Sequence, residues 1–220
     1  MADEARGARP DTRRAILEAA LLGFGRRGFE ATSTREIAAL AKVNVASIAY
    51  HFGGKEGLRA ACADHIVAAL GEVAGGGLPD SGEPDPETAR ALLLATLRRF
   101  VEFLLLRPEA GLIAGFMMRE AAQPSEALDV VYSGVIEGAH RRLCRLWGAA
   151  TGRDPESVEV RLAVFAMVGQ VFYFHLARPI VQRRLGWGDY GPDEVEAIAG
   201  QLSRNLIARL DAERTGGTEA

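Results

Sequence analysis

The chain has 220 residues, 48% apolar and 25% charged, enough to bury one sizeable core or a small module beside a larger one, which excludes disorder as its general state. Its 25 glycines follow no triplet period and only 9 prolines accompany them, so collagen-like and low-complexity readings fail too. The net charge of −3 argues against a nonspecific coat on nucleic acid, yet residues 1–60 balance at +3 and residues 61–220 at −6, the split expected of a polyanion-binding head on an acidic body.

Helical periodicity dominates from end to end and no alternating run of strand length is flanked by turn signals, so the chain reads as all-α, with about nine or ten helices. Ile16, Leu17, Ala20, Leu21 and Phe24 stripe a first helix over about Thr12 to Arg27, which Gly28 stops. Ser33 with Glu36 three residues on forms a capping box for a short second helix that buries Ile37, Ala38 and Ala41. Asn44 is placed to cap a two-turn third helix running to Phe52, where Gly53 and Gly54 break it.

A fourth helix starts near Lys55 and runs into Gly71 and Gly75 to Gly77; residues 75–86 read as the linker. Asp85-Pro86-Glu87 opens the next helix, which lasts until Arg107-Pro108, and further helices are expected over about Glu109 to Ala122, Ser125 to Thr151, Pro155 to Ala177 and Pro192 to Arg214. The expected domains are therefore a head over 1–54, a connecting helix over 55–78 and a larger helical domain over 79–220.

Leu162 to Leu176 is apolar nearly all round, with only Gln170 and His175 strongly polar. A membrane span needs about 20 residues, and the arginines at 178, 183 and 184 close this one, so no membrane is expected. A second copy of the chain is the simplest cover, giving a homodimer through the helices at about 155–177 and 192–214. With only Cys62 and Cys144, and with acids in and before the first apolar stretch, reduced thiols in a cytoplasmic protein are expected. Cys62 with His65, and His140 with Cys144, each share a helix face, but neither pair closes a metal site; no metal or cofactor is implied.

Three short helices within residues 12–52, with a tight turn at Lys42-Val43, have the spacing of a helix-turn-helix head. A major groove about 12 Å wide admits one helix, so Asn44, Val45, Ala46, Ala49 and Tyr50 would face DNA while Val43 and Ile48 anchor the probe. The third helix carries no Arg or Gln. Direct readout therefore rests on Asn44, Ser47, the methyls of Val45 and Ala46, and arms such as Arg9, Arg13 or Arg35, with a larger share left to phosphates and DNA shape.

Thr34, Ile37-Ala38, Ala41, Val43 and the run Tyr50-His51-Phe52-Gly53-Gly54-Lys55-Glu56-Gly57-Leu58 resemble the TetR family of bacterial transcriptional regulators. Met118-Arg119-Glu120 and Pro124-Ser125 with Leu128 more loosely resemble its CecR-like subgroup. The resemblance implies an all-α homodimer that binds a palindromic double-stranded DNA operator, with a larger domain whose small-molecule effector releases the DNA. It aligns Thr34, His51 and Lys55 with phosphate-contacting positions. The family's common turn glycine is Lys42 here, and its frequent tyrosine near the end of the third helix falls on Ala49, with Tyr50 one residue later.

In the body, Phe103, Phe116, Met117, Trp147 and Tyr173 are candidate walls for an apolar or aromatic effector, and Gln170, His175, Arg119 or Glu120 candidates to orient one end of it. No nucleophile elbow, phosphate loop or dinucleotide fingerprint is present, so no enzyme is expected. A helical scaffold that binds only proteins is the alternative.

Overall fold

The structure, a computed structural model, describes residues 12–75 and 84–215. Among these residues it is all helical and without strands: α1 (Thr12–Arg27), α2 (Thr34–Ala41), α3 (Ala46–Phe52), α4 (Lys55–Gly75), α5 (Pro86–Leu106), α6 (Pro108–Ala122), α7 (Glu126–Val131), α8 (Glu137–Thr151), α9 (Val158–Leu176), α10 (Arg178–Leu185) and α11 (Pro192–Thr215). Tyr132–Ile136 is a π-helical turn joining α7 to α8, so counting 126–151 once gives ten helices. Arg9, and residues 76–83 of the expected linker, lie outside the described residues.

The described chain forms two compact units, the first running to Ala68 and including Gly111–Tyr132, the second comprising Ala69–Ala110 and everything from Ser133. In the first unit, Ile16, Leu21 and Phe24 of α1, Ile37 of α2, Ile48 of α3 and Leu58 and Ile66 of α4 are buried together with Phe116 of α6. The Phe24 ring lies 5.4 Å from Phe29 and 6.4 Å from Phe116, distances at which aromatic pairs attract. The backbones of α1 and α6 touch at Gly25, where a Cβ would come within 2.9 Å of the carbonyl carbon of Gly115 and the nitrogen of Phe116. Only a residue without a side chain fits that crossing.

In the second unit, α5 packs on α8, α9 and α11. Its buried face is Leu93, Leu97, Val101 and Leu104, met by Trp147 of α8, Val164 and Val171 of α9, and Leu202 and Leu206 of α11. Asp85 caps α5 as expected, accepting from the Thr88 N–H at 3.0 Å. Ion pairs of Arg98 with Glu196 (2.6 Å) and of Arg90 with Asp211 join α5 to α11.

Three local features differ from expectation. Helix α9 begins at Val158 rather than near Pro155, because Ser157 supplies the cap by accepting from the Val160 N–H at 3.3 Å. After Ala177 the chain forms α10 instead of a loop: Pro179 sits in the first helical turn, where its missing N–H costs nothing, and Gly186 ends the helix. The segment 125–151 is interrupted by the π turn. Its buried Ala127, Val131, Val135 and Leu143 recur at multiples of four, a spacing that drifts by about 40° per step on an ideal α-helix and that a wider turn brings back into line.

Candidate nucleic-acid interface

The probe is built from the turn before it. Ser33 and Glu36 form the full capping box: the Glu36 N–H donates to the Ser33 hydroxyl at 3.3 Å, and the Ser33 N–H donates to the Glu36 carboxylate at 2.9 Å. Arg27 adds an ion pair to the same carboxylate at 2.6 Å, and these contacts lower the Glu36 pKa from 4.5 to about 2, the Arg27 hydrogen bond contributing most. Thr32, fully buried, places its hydroxyl 2.9 Å from the Gly23 carbonyl and 2.8 Å from that of Gly28, closing the α1–α2 connection.

Helix α2 ends at Lys42 in the left-handed conformation, φ 56° and ψ 41°. A residue with a Cβ is strained there, which is the physical reason a glycine suits this turn. Helix α3 then starts at Ala46, with Val45 as its flanking residue and without a side-chain cap from it. Asn44 does the capping, as its place in the sequence suggests, from the residue before Val45, its Oδ1 accepting from the Ala46 N–H at 2.9 Å. Its carboxamide NH₂ remains on the exposed side of the probe.

Ile48, 1% exposed, pins α3 to the head. Val45, Ala46, Ala49, Tyr50 and His51 all face solvent, Tyr50 at 86% exposure, while Ser47 is half-buried and Val43 half-buried behind it. The Tyr50 and His51 rings meet edge to face at 5.0 Å. Thr34 and Arg35 occupy the first turn of α2, Thr34 half-buried and Arg35 exposed. Arg13, also exposed, lies over the Phe52 ring at 5.2 Å. Lys55 opens α4 with its Nζ 4.2 Å from the Phe29 ring centre and 3.5 Å from the Glu30 carbonyl.

Two further residues, one of them already in the Tyr50–Leu58 run, complete the site. A Cβ on Gly57 would fall 1.8 Å from the carbonyl oxygen of Phe52, so the glycine lets the first turn of α4 pack directly against the end of α3 after the two-residue turn Gly53-Gly54. Arg59, one turn after Lys55, lies over the same Phe29 ring, at 4.5 Å. The glycine spacing in Gly53-Gly54-Lys55-Glu56-Gly57 was the available signal for the first; nothing local in sequence announces the second.

The candidate effector residues divide between the units. In the first, Phe116 is core, Met117 is half-buried, and Arg119 donates to the Arg26 carbonyl at 3.0 Å, capping the end of α1. In the second, Phe103 lines a cavity of roughly 440 Å³ with Ala69, Val73, Arg99 and Leu106. Trp147 and Gln170 line a different, smaller one of roughly 180 Å³ with Met167, Asn205 and Arg209, and the Trp147 indole N–H donates to Glu213 at 2.7 Å. Tyr173 and His175 line neither. Tyr173 is 56% exposed, and the half-buried His175 has its pKa held below 6.5 by burial and then by Arg178.

Among the described residues no three His, Cys, Asp or Glu side chains gather to hold a metal. The Cys144 Sγ lies 3.6 Å from Nδ1 of His140, and burial, with the charge of Glu120, pushes the Cys62 thiol up to about 12, leaving it protonated and unreactive.

Residues 16–62 match the model for bacterial regulatory proteins of the tetR family, and residues 89–212 that for the C-terminal domain of the HTH-type transcriptional dual regulator CecR. The chain is 34% identical over 189 residues to the HTH-type transcriptional dual regulator CecR of Shigella flexneri, covering 83% of this chain and 84% of that one. It is 28% identical over 196 residues to the HTH-type transcriptional regulatory protein RaaS of Mycobacterium tuberculosis, covering 88% and 85%. In fold it is similar to AibR, solved in complex with isovaleryl coenzyme A and operator DNA, with a TM-score of 0.64 at 22% identity over 88% of this chain and 96% of that one. A TetR-like transcriptional regulator from Rhodococcus gives a TM-score of 0.61 at 22% identity, over 92% of this chain and 97% of that one. An all-α chain with an anchored, solvent-facing α3 and both domain matches belongs to the TetR family: it is a DNA-binding transcriptional regulator of the CecR type, not an enzyme.

Proposed function

We propose that this regulator is an effector-responsive repressor that binds a palindromic operator as a homodimer. The observation that carries the reading is α3 itself: one buried anchor, Ile48, under an outer face of Val45, Ala46, Ala49 and Tyr50 that is small enough to enter a major groove. Thr34, His51 and Lys55 supply phosphate contacts around it, and Asn44 and Ser47 the polar base contacts. Arg35 and Arg13 extend the cationic rim.

Dimerisation is supported by α9. Val158, Leu162, Phe165, Tyr173 and Leu176, with Ile180 of α10, form one exposed apolar stripe, and Gln170 joins α11 by accepting from Asn205 at 3.0 Å. The helix has the length and composition to cross a membrane, but Glu159, Arg161, Gln170 and His175 lie on it and Arg178, Arg183 and Arg184 follow it. A second copy of the chain covers such a stripe with its own α9 and α11. A two-fold dimer sets its heads on half-sites about 34 Å apart, which is why the operator is palindromic.

The effector is an apolar or aromatic small molecule bound in the larger domain, and its differential affinity for the two states of the dimer, about 1 to 3 kcal/mol, is enough to release DNA. AibR, in complex with isovaleryl coenzyme A and operator DNA, is a fold neighbour that holds both kinds of ligand at once. The designation of the Shigella relative as a dual regulator favours a second reading, in which the same dimer represses one promoter and activates another.

Retardation of a DNA fragment from upstream of the regulator's own gene tests the reading. Binding that falls steeply between low and moderate salt is expected, together with a rise in that gene's transcription when the regulator is deleted. Lys55→Ala should weaken all sequences alike and lower the salt slope by about one, whereas Asn44→Ala should change the preferred sequence. Equal effects from both variants overturn the assignment of roles.

A further inference from the structure

We infer that Glu120 is a positioning residue for the DNA-binding head: its buried carboxylate clamps Arg59, and through Arg59 fixes the first turn of α4, with Lys55, against the ring of Phe29. Glu120 is 3% exposed and sits near the end of α6. Arg59 Nη2 donates to both of its oxygens, at 2.8 and 2.7 Å, and Arg59 Nε donates to Oε1 at 3.1 Å. The Ser125 hydroxyl donates to Oε2 and at the same time caps α7, accepting from the Ala127 N–H at 3.2 Å. One carboxylate thus ties together α6, the start of α7 and α4.

Stability alone does not explain this pair. Taking two charges out of water offsets most of their attraction, and an apolar pair of similar volume holds a core at least as well. What the pair supplies is direction, because three N–H···O contacts on one planar guanidinium fix its orientation as well as its position. That orientation lays Arg59 over Phe29 at 4.5 Å, with Lys55, one turn earlier on the same helix, over the same ring at 4.2 Å. Phe29 in turn packs on Phe24 of α1, and Lys55 reaches the Glu30 carbonyl, so the α1–α2 connection and the start of α4 are held as one piece. A displacement of the α6 end is therefore transmitted to Lys55. The inference rests on the reading of Lys55 as a phosphate contact.

The test uses the full chain and operator DNA, measuring affinity by fluorescence anisotropy across a salt series and thermal stability in parallel. Glu120→Gln keeps the shape and removes the charge; it should raise the operator Kd about tenfold and lower the salt slope by about one, as Lys55 leaves its phosphate. The double variant Arg59→Leu with Glu120→Leu should regain wild-type thermal stability yet keep the weakened Kd and the lower slope. A double variant that binds operator as tightly as the wild type overturns the inference, because the pair is then structural only. So does Glu120→Gln with unaltered Kd at temperatures where it is folded. Lys55→Ala in the wild-type background separates the two readings: an unchanged slope there overturns the phosphate contact itself, while a lowered slope with a wild-type-like double variant overturns only the role of Glu120.

Discussion

Helices α3 and α9 both turn much of their surface to solvent, and they do so with opposite chemistry. The outer face of α3 and the two residues before it is Asn44, Val45, Ala46, Ala49, Tyr50 and His51, with Val45 its one branched aliphatic; that of α9 is Val158, Leu162, Phe165, Tyr173 and Leu176. Small side chains on a short, firmly anchored helix leave room for a wide polar groove to close over them. Large apolar ones leave a surface that water covers only at a cost of about 25 cal/mol per Å². Exposure alone therefore says little about a site; what is exposed, and how rigidly it is held, distinguishes a face for DNA from a face for another protein.

The strongest way to break the comparison is on α9. Leu162→Asp with Tyr173→Asp should convert the proposed dimer to monomers in sedimentation velocity and lower operator affinity by roughly 100-fold, since a lone head loses the gain from two linked contacts. A dimer that persists would remove the contrast. On α3, anchor and face should separate cleanly. Ile48→Ala is expected to destabilise the head by about 3 kcal/mol, read by thermal denaturation. Tyr50→Ala should leave stability within about 0.5 kcal/mol while weakening DNA binding in anisotropy.

Smaller effects sharpen the picture of how the probe is held. Lys42→Gly should stabilise the chain by about 1 kcal/mol in chemical denaturation, because it relieves the left-handed strain at the turn. The least effect is expected from acid. Glu36 has its folded pKa lowered from 4.5 to about 2, so its contribution is present above about pH 4.5 and is lost as pH falls toward about 2. The thermal midpoint of Glu36→Gln should lack that component of the acid sensitivity, measured against the wild type over the same range.

The all-α class and the head were legible because local rules decide them. Gly28, the Ser33–Glu36 box, Asp85-Pro86 and the Gly53-Gly54 break each satisfy or end a helix within a few residues, and each acts in the structure as its residue type dictates. Where tertiary context decides, the pattern ran out. Helix α10 was not anticipated because the proline at 179 reads as a stop until one sees that it opens a helix, and the π turn hides inside an uninterrupted helical stripe. The clamp on Arg59 spans sixty-one positions of sequence, a separation no periodicity reports. Glu120 was visible as a charged residue on an apolar helix, but its partner was not.

The bare crossing at Gly25 and Gly115 bears on how such a chain can diverge. A methyl group at residue 25 would wedge α1 off α6, whereas Ala46, Ala49 and Tyr50 are exposed to solvent. Descendants of this regulator are thus free to acquire new operators by altering the outside of α3, while the α1–α6 crossing admits no side chain at residue 25.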